Sequence, residues 1–449
     1  MFSVLRFSTI KNLRNVRTFA SSTSNHFDII IAGGGLVGTS LACALSKNKI
    51  LSERNVLLLE GAPPFKGFEC GEYGNRVSAL NNNTVDFFKN IGVWEKISAA
   101  RFKPVKQMQV WDASSNASIT FNHDNFSENV AYIIENDLVL DSVYKELESA
   151  KNVQIKNLAK IEDVDLEGLA TKSVKLKGGE EFTCDLLIGA DGVNSLVRKQ
   201  MKVDTYTHNY NEMGLVATLE LDGNACDNSV AWQRFLPTGP VALLPLNENK
   251  SSLVWSTTPE MAKKLQSLPA DEFVDELNKA FVKEYPKNEF VSNALRVLDT
   301  IMNSDSQSSR QYPPKVRSVV ERSRACFPLG FMHSSSYVRS GVALVGDAAH
   351  RIHPLAGQGV NLGFGDVKCL VEVLADGVYG GATLSDKLVL LKYEKDRLVH
   401  NVPLMLGIHG IQSLYSSSFS PLVLLRSLGL QITQNAPPLK NLFMKKAMG

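Results

Sequence analysis

The chain has 449 residues, 44% hydrophobic and 21% charged, with a formal net charge of +2. Such a profile supplies apolar cores for about two or three domain-sized units, and a charge so near balance offers no basic surface for nucleic acid. No apolar run reaches the ~18 residues of a membrane span, and six scattered cysteines without a CxxC pair suit a reducing compartment.

Residues 1–24 do not read as fold. Arg6, Lys11, Arg14 and Arg17 occur before the first acid, Asp28. On a helical wheel Phe2, Leu5, Leu13, Val16 and Phe19 gather opposite those basic residues. An amphipathic, basic, acid-free start is the pattern of a mitochondrial targeting peptide; a disordered basic tail is the alternative reading. A secretory signal would need a long apolar stretch, which this segment lacks.

Phe27 to Ala32 reads as a strand, Gly33-Gly34-Gly35-Leu36-Val37-Gly38 as a G-x-G-x-x-G turn, and Thr39 to Ser46 as a helix. In that context Gly33 permits the tight turn, Gly35 lets the backbone approach a pyrophosphate, and Gly38 allows close helix–strand packing. A second strand, Asn55 to Leu59, ends at Glu60, placed to accept hydrogen bonds from ribose hydroxyls. Arg76 follows in a polar loop before a helix from Asn83 to Ile91; it either reaches phosphate oxygens or is a surface arginine.

Alternation from Val105 to Phe121 predicts strands. Asn136 is expected to cap a helix whose apolar positions are Leu138, Leu140, Val143, Tyr144 and Leu147. After a β-rich piece from Val153 to Phe182, the run Asp185 to Arg198 repeats the earlier logic: a strand stops at Asp191, Gly192 turns the chain, and a helix begins. Asp191 can serve a cofactor or cap that helix, and a mixed role is expected. Met213 to Thr258 is antiparallel in pattern, Ala270 to Glu284 helical, and Ser304 to Pro314 a polar loop.

The most informative stretch is Gly341 to Gly365. Val342 to Val345 is a buried strand; Gly346-Asp347 puts a carboxylate beyond its C-terminal edge, where ligands sit in open α/β sheets. His353, Pro354, Gly357 and Gly359 then bring backbone close to a flat ligand before a helix near Val360 and Asn361. A carboxylate binds the hydroxyls of a ribityl chain, and a helix N-terminus holds the negative edge of a reduced isoalloxazine. The stretch is read as a flavin seat. Asp347, His350 and His353 also invite a metal, but the carboxylate–glycine turn explains Asp347 better, and no metal is expected. Helices continue from Asp366 to about Val399. The tail from Pro403, rich in Leu, Phe and Met, is expected to pack on the body rather than lie on a membrane surface.

These motifs in order resemble single-component flavin monooxygenases of the p-hydroxybenzoate hydroxylase type. Asn75 to Leu80, Glu135 to Leu138 and the Gln233-Arg234-Phe235 to Leu246 region resemble their ubiquinone-biosynthesis hydroxylase branch. The resemblance covers residues 27–449 and implies an α/β fold in which a Rossmann-like FAD-binding domain interleaves with a mixed or antiparallel β-sheet substrate domain, followed by C-terminal helices. Boundaries follow as 25–104, 131–204 and 331–400 for FAD binding, 105–130 and 205–330 for substrate, and 401–449 for the helical tail. It implies FAD across Gly33, Gly35, Leu36, Val37, Gly38, Glu60 and Arg76, with Asp191, Gly346 and Asp347 contributing. His353, Pro354, Gly357, Gly359, Val360 and Asn361 would line the isoalloxazine.

The implied reaction adds oxygen from O2, through a flavin C4a-hydroperoxide, to ring position C5 of a polyprenylated 4-hydroxybenzoate-type phenol. Implied partners are ferredoxin and its reductase, or NAD(P)H, as electron source, and other coenzyme Q biosynthesis proteins. The implied location is the matrix face of the inner mitochondrial membrane, peripherally attached. No nucleophile or dedicated acid–base residue is nominated. Two alternatives remain: a flavin monooxygenase for another aromatic or isoprenoid substrate, and a non-enzymatic prenyl binder of the GDP-dissociation-inhibitor type. A halogenase would need a W-x-W-x-I-P segment, which is missing.

Overall fold

The computed structural model describes residues 25–115, 117–122, 128–168, 171–223, 227–285, 311–416, 419–436 and 438. The expected targeting segment, residues 304–310 of the polar loop and the last part of the tail lie outside the described residues.

The short apolar runs near the glycine motifs assemble into one sheet. His26–Ala32 lies at its centre, parallel to Val56–Leu59 on one side and to Glu181–Gly189 on the other. Val153–Lys156 extends the first side and Val342–Leu344 the second, both in parallel. Ile29, Ile30 and Ile31 are completely buried, although alternate residues point to opposite faces. That is the signature of a strand covered on both sides, and each such side chain contributes roughly 1.5–3 kcal/mol. Helices Leu36–Lys47, Asn136–Leu147 and Gly359–Tyr379 pack around it.

The alternating segments form a second sheet of nine strands, ordered His350–Arg351, Ala325–Ser334, Thr205–Leu221, Lys250–Thr257, Gly239–Pro245, Val230–Leu236, Gln107–Asp112 and Ser118–Asn122, with Val316–Val319 beside Thr205–Leu221. It is antiparallel except where Val230–Leu236 meets Gln107–Asp112. Phe273, Leu277 and Phe281 of helix Ala270–Val282 cover one face, packing with Trp111, Leu215 and Leu253. A three-stranded sheet of Val77–Leu80, Ala131–Glu135 and Lys103–Val105 joins the two larger ones in sequence.

Several local expectations change. Glu135, not Asn136, holds the N-cap position, and its side chain makes no cap bond. Its carboxylate is drawn off by Arg101, which donates from Nε at 2.7 Å and Nη2 at 3.0 Å, a charge-assisted pair stronger than a neutral cap bond. Val77–Leu80, read as loop, is a strand, and Trp94–Ala100 is an additional helix. Helix Lys387–Tyr415 runs straight through Pro403, where the sequence suggested a new segment. Proline forfeits one backbone donor, but the turn before it is fixed by buried bonds from Arg397 and Asn401 to Asp366.

The tail packs on the body, as its composition suggested. The Tyr415 ring stacks on Phe235 at 3.7 Å between centroids. In helix Ser420–Asn435, Arg426 Nε donates to Asp112 at 3.0 Å and Gln434 accepts from the Thr120 N–H at 3.0 Å.

Candidate active site

The glycine motif divides its labour as the spacing predicts. Gly33 has φ +106°, and a Cβ there would lie 2.4 Å from the Ala190 carbonyl oxygen; at Gly38 it would lie 1.9 Å from the Gly33 oxygen. A Cβ on Gly35 would meet nothing within 4 Å. Two glycines therefore serve packing, while the third faces open space. The helix's first bond is Thr39 N–H to the Gly35 carbonyl, so the amides of Leu36, Val37 and Gly38 remain as donors at a positive helix end.

Glu60 closes this end of the site. One oxygen accepts from the Gly34 N–H at 2.6 Å and the other from the Ala62 N–H at 2.7 Å. Both bonds fix the carboxylate while leaving a lone pair on each oxygen for a ligand hydroxyl. Arg76 is exposed and has no side-chain partner among the described residues; only its carbonyl is engaged, by the Asn136 N–H.

Asp191 and Asp347 stand at the ends of neighbouring parallel strands but differ in state. Asp191 Oδ2 accepts from the N–H groups of Leu196, at 2.7 Å, and Val197, at 3.3 Å. Ser195 Oγ accepts from Arg198 N–H at 2.9 Å, so the two side chains share the cap of helix Leu196–Met201. Asp191 Oδ1 is buried without a partner. Asp347 has no hydrogen-bond partner among the described residues and reaches solvent. Enclosure by protein nevertheless pushes its carboxyl above the usual range, against the pull of His350 and Arg351. It is a carboxylate with no protein partner among the described residues, set at the end of a buried strand.

The rest of the seat is held from behind. Gly346 has φ +58° and packs on Val37, which also touches the Cβ position of Gly363. The Gly346 N–H donates to Asp366 at 2.9 Å. Asp366 is completely buried; it also takes His350 Nε2 at 2.6 Å, Arg397 Nε at 2.7 Å and Asn401 Nδ2 at 3.1 Å. Burial alone would raise its pKa, but His350, Arg397 and the Gly346 amide hold it well below the usual carboxylate range. Arg198 ties the two turns together, donating to the Ala348 carbonyl at 2.7 Å and the Val193 carbonyl at 2.6 Å. Sequence reasoning missed this hub. Its signal was Asp366 itself, four residues after Leu362 and four before Leu370 on a buried helix face, where an acid needs partners.

Pro354–Ala356 forms a short turn, and Gly357 at φ +61° follows, its Cβ position 3.2 Å from Ala79. Helix Gly359–Tyr379 then begins, so the amides of Gly359, Val360 and Asn361 occupy its first turn. Two residues expected to line the seat have side chains engaged on its far side. Asn361 accepts from Thr84 Oγ1 at 2.8 Å and Asn81 N–H at 3.2 Å, and donates to the Ala79 carbonyl at 2.9 Å. It fastens the seat to the third sheet and leaves its backbone for a ligand. His353 is fully buried, with Nε2 3.2 Å from Glu212 and Nδ1 unpartnered.

Glu212 was not legible either. Register in Thr205–Leu221 jumps between Asn209 and Met213, and Asn211 takes φ 53° inside that bulge. The bulge re-aims its neighbours: Glu212 accepts from Gln412 Nε2 at 2.6 Å as well as facing His353, and Tyr210 OH pairs with His409 Nδ1 at 2.9 Å. Burial and then Glu212 push the Tyr210 phenol up to about 12. The nine-stranded sheet, the His353 turn and the long C-terminal helix thus meet at one carboxylate.

The residues fit a dinucleotide with a flavin head. They offer an open glycine turn, a fixed carboxylate for ribose, a free carboxylate at a strand end and a second helix N-terminus. The described residues contain no group of three His, Cys, Asp or Glu side chains able to hold a metal ion, and none of their helices is long and apolar enough to cross a membrane.

Comparison with known proteins agrees. The FAD binding domain family matches residues 26–301 and 319–403. The mitochondrial ubiquinone biosynthesis monooxygenase COQ6 of Drosophila melanogaster is 60% identical over 434 residues, covering 96% of this chain and 91% of that protein. The protein of the same name from Xenopus tropicalis is 43% identical over 441 residues, covering 95% of this chain and 94% of its own length. Among solved structures, p-nitrophenol 4-monooxygenase PnpA from Pseudomonas putida superposes with a TM-score of 0.68 over 94% of this chain and 99% of its own, at 16% identity.

Proposed function

The chain belongs to the FAD-dependent monooxygenase family of mitochondrial ubiquinone biosynthesis, and from that premise we propose that it hydroxylates ring position C5 of a polyprenylated 4-hydroxybenzoate-type phenol. The observation that carries the reading is the carboxylate of Asp347, without a partner among the described residues, next to Gly346, which packs on Val37 of the open glycine turn. Bound FAD, once reduced, would supply the two electrons that activate O2, one oxygen atom of which goes to the ring while the other leaves as water.

The chain's own residues bind and exclude. The amides at Gly35, Leu36, Val37 and Gly38 hold the pyrophosphate, with Arg76 free to reach it. Glu60 receives ribose hydroxyls, and Asp347 receives the ribityl chain. The first-turn amides at Gly359, Val360 and Asn361 stabilise negative charge on the isoalloxazine edge. Asp191 acts mainly through the helix that its Oδ2 caps beside the cofactor, because its Oδ1 is enclosed by protein. A phenol is already activated toward an electrophilic oxygen, so positioning and exclusion of water suffice without an acid–base residue.

Ferredoxin and its reductase are the proposed electron source, with NAD(P)H the alternative. The proposed site of action is the matrix face of the inner membrane. Exposed apolar side chains on the C-terminal helices, Leu406 at 56%, Phe419 at 64% and Leu425 at 58%, support peripheral attachment there. The test is lipid mass spectrometry on cells with and without this protein. Loss of ubiquinone with accumulation of a polyprenylated ring lacking one hydroxyl is expected, and ring-position analysis of that lipid checks C5. Unchanged ubiquinone and precursors would refute the substrate.

A further inference from the structure

A second recess lies behind the flavin seat and takes no part in the reading above. It is a cavity of about 290 Å³ between helices Asn82–Asn90, Gly359–Tyr379 and Lys387–Tyr415, at the small end of ligand-pocket size. It borders the seat along Gln358, Asn361 and Leu362, while Asp347, Pro354 and Gly357 take no part in its wall.

Its wall carries donors that the fold leaves unused. Arg397 is 7% exposed; Nε is taken by Asp366, and Nη2 by Asn401 at 2.7 Å and the Leu362 carbonyl at 3.4 Å, but Nη1 has no partner among the described residues. Nη1 is nonetheless absent from the sealed, unsatisfied polar atoms of the described residues, so it touches the open space that Arg397 lines. Gln358, 9% exposed, is in the same state: its oxygen receives Asn361 Nδ2 at 3.4 Å while Nε2 has no partner among the described residues. Lys368 borders the cavity with its ammonium unpaired among the described residues, although Glu372 lies one turn along the same helix. A buried guanidinium donor without an acceptor is costly, and a carboxylate is its natural complement.

The acids nearby do not fill that role. Both oxygens of Asp366 are engaged, by Arg397 and Asn401 on one and by His350 and the Gly346 amide on the other. Glu372 is the remaining carboxylate on the cavity wall. Phe87, Phe364, Leu362 and Leu404 form an apolar patch on a wall that also carries Asn83 and His400, and that patch suits the body of a small organic acid better than a bare inorganic ion.

We propose that this cavity is a binding site for a small organic carboxylate, held by Arg397 Nη1, Gln358 Nε2 and Lys368, with its apolar body against Phe87 and Leu404. The site is coupled to the flavin seat, because Arg397 and Asp366 together hold the Gly346 amide and Asn361 fastens the seat helix. Occupancy therefore tightens the hold on FAD.

The purified FAD-loaded protein is titrated with benzoate and, separately, with inorganic phosphate, by calorimetry and by FAD dissociation. Saturable benzoate binding that slows FAD release is expected. Lys368→Glu weakens benzoate by at least about tenfold, a loss of ~1.4 kcal/mol, and Glu372→Gln strengthens it, both with normal FAD content. Absence of saturable benzoate binding overturns the proposal, and binding of phosphate alone overturns the ligand class. Benzoate lodged over the flavin would be insensitive to both substitutions, and that result overturns the placement while leaving the hydroxylase reading intact.

Discussion

Two turns in this molecule are written almost alike and built differently. Leu187-Ile188-Gly189-Ala190-Asp191-Gly192 and Leu344-Val345-Gly346-Asp347 each end a parallel strand with a carboxylate. In the first, the motif's own acid holds the turn, accepting from the Leu196 and Val197 amides. In the second, an acid from the following helix does so: Asp366 takes the Gly346 N–H, and Asp347 is released. A carboxylate spent on backbone contributes to stability, and one that is spared is available to a ligand. Substitutions at three acids separate these roles.

The largest effect belongs to the hidden support. Asp366→Ala strands a buried Arg397, and losing one partner of such a pair costs about 3–5 kcal/mol; urea denaturation of the apo-protein measures it. Because the folded-state pKa of Asp366 is depressed, its contribution is present above the ordinary carboxylate pKa of about 4 and is lost as pH falls below it. The acid limb of the stability curve should therefore flatten in Asp366→Asn. Next comes Asp347→Ala, which removes charge-assisted bonds of about 1.5–3 kcal/mol. FAD then binds roughly 10–100-fold more weakly, with the circular dichroism of the apo-protein unchanged. Asp191→Ala loses a helix cap, costing about 1 kcal/mol of stability, and weakens FAD less than the Asp347 change does.

The smallest effect has the opposite sign. The raised pKa of Asp347 means that its ionised form disfavours the folded apo-protein. The protonated carboxyl contributes stability at low pH that is lost as pH rises through the folded pKa. Asp347→Asn apo-protein should therefore melt higher than wild type at neutral pH while holding FAD more weakly. Equal melting temperatures would remove the idea of a carboxylate kept free at a cost.

The parts of the site that were legible are local. Gly33, Gly35 and Gly38 sit at fixed spacing after a strand, and each shows a distinct steric consequence. Val342 to Val345 is apolar, branched and followed by Gly-Asp, which places Asp347 without any knowledge of partners. What could not be read is non-local or decided by competition. Arg397 reaches Asp366 across 31 positions of sequence, and nothing in either segment names the other. Asn361 looked like a ligand because it follows the glycines, but Thr84 and Asn81, far away in the chain, claim its side chain. Glu135 is engaged by Arg101 rather than by the helix it precedes, and His353 meets Glu212 across a bulge that single-strand alternation does not foresee. The helix through Pro403 was missed because a proline penalty is local while the bonds that outweigh it are tertiary.

The most direct measurement is the FAD dissociation constant of Asp347→Ala and Asp191→Ala beside wild type, by flavin fluorescence titration of the purified apo-proteins. The account predicts a roughly 10–100-fold loss for Asp347→Ala and a clearly smaller one for Asp191→Ala. Near-normal FAD affinity in Asp347→Ala, or the larger loss in Asp191→Ala, would contradict it.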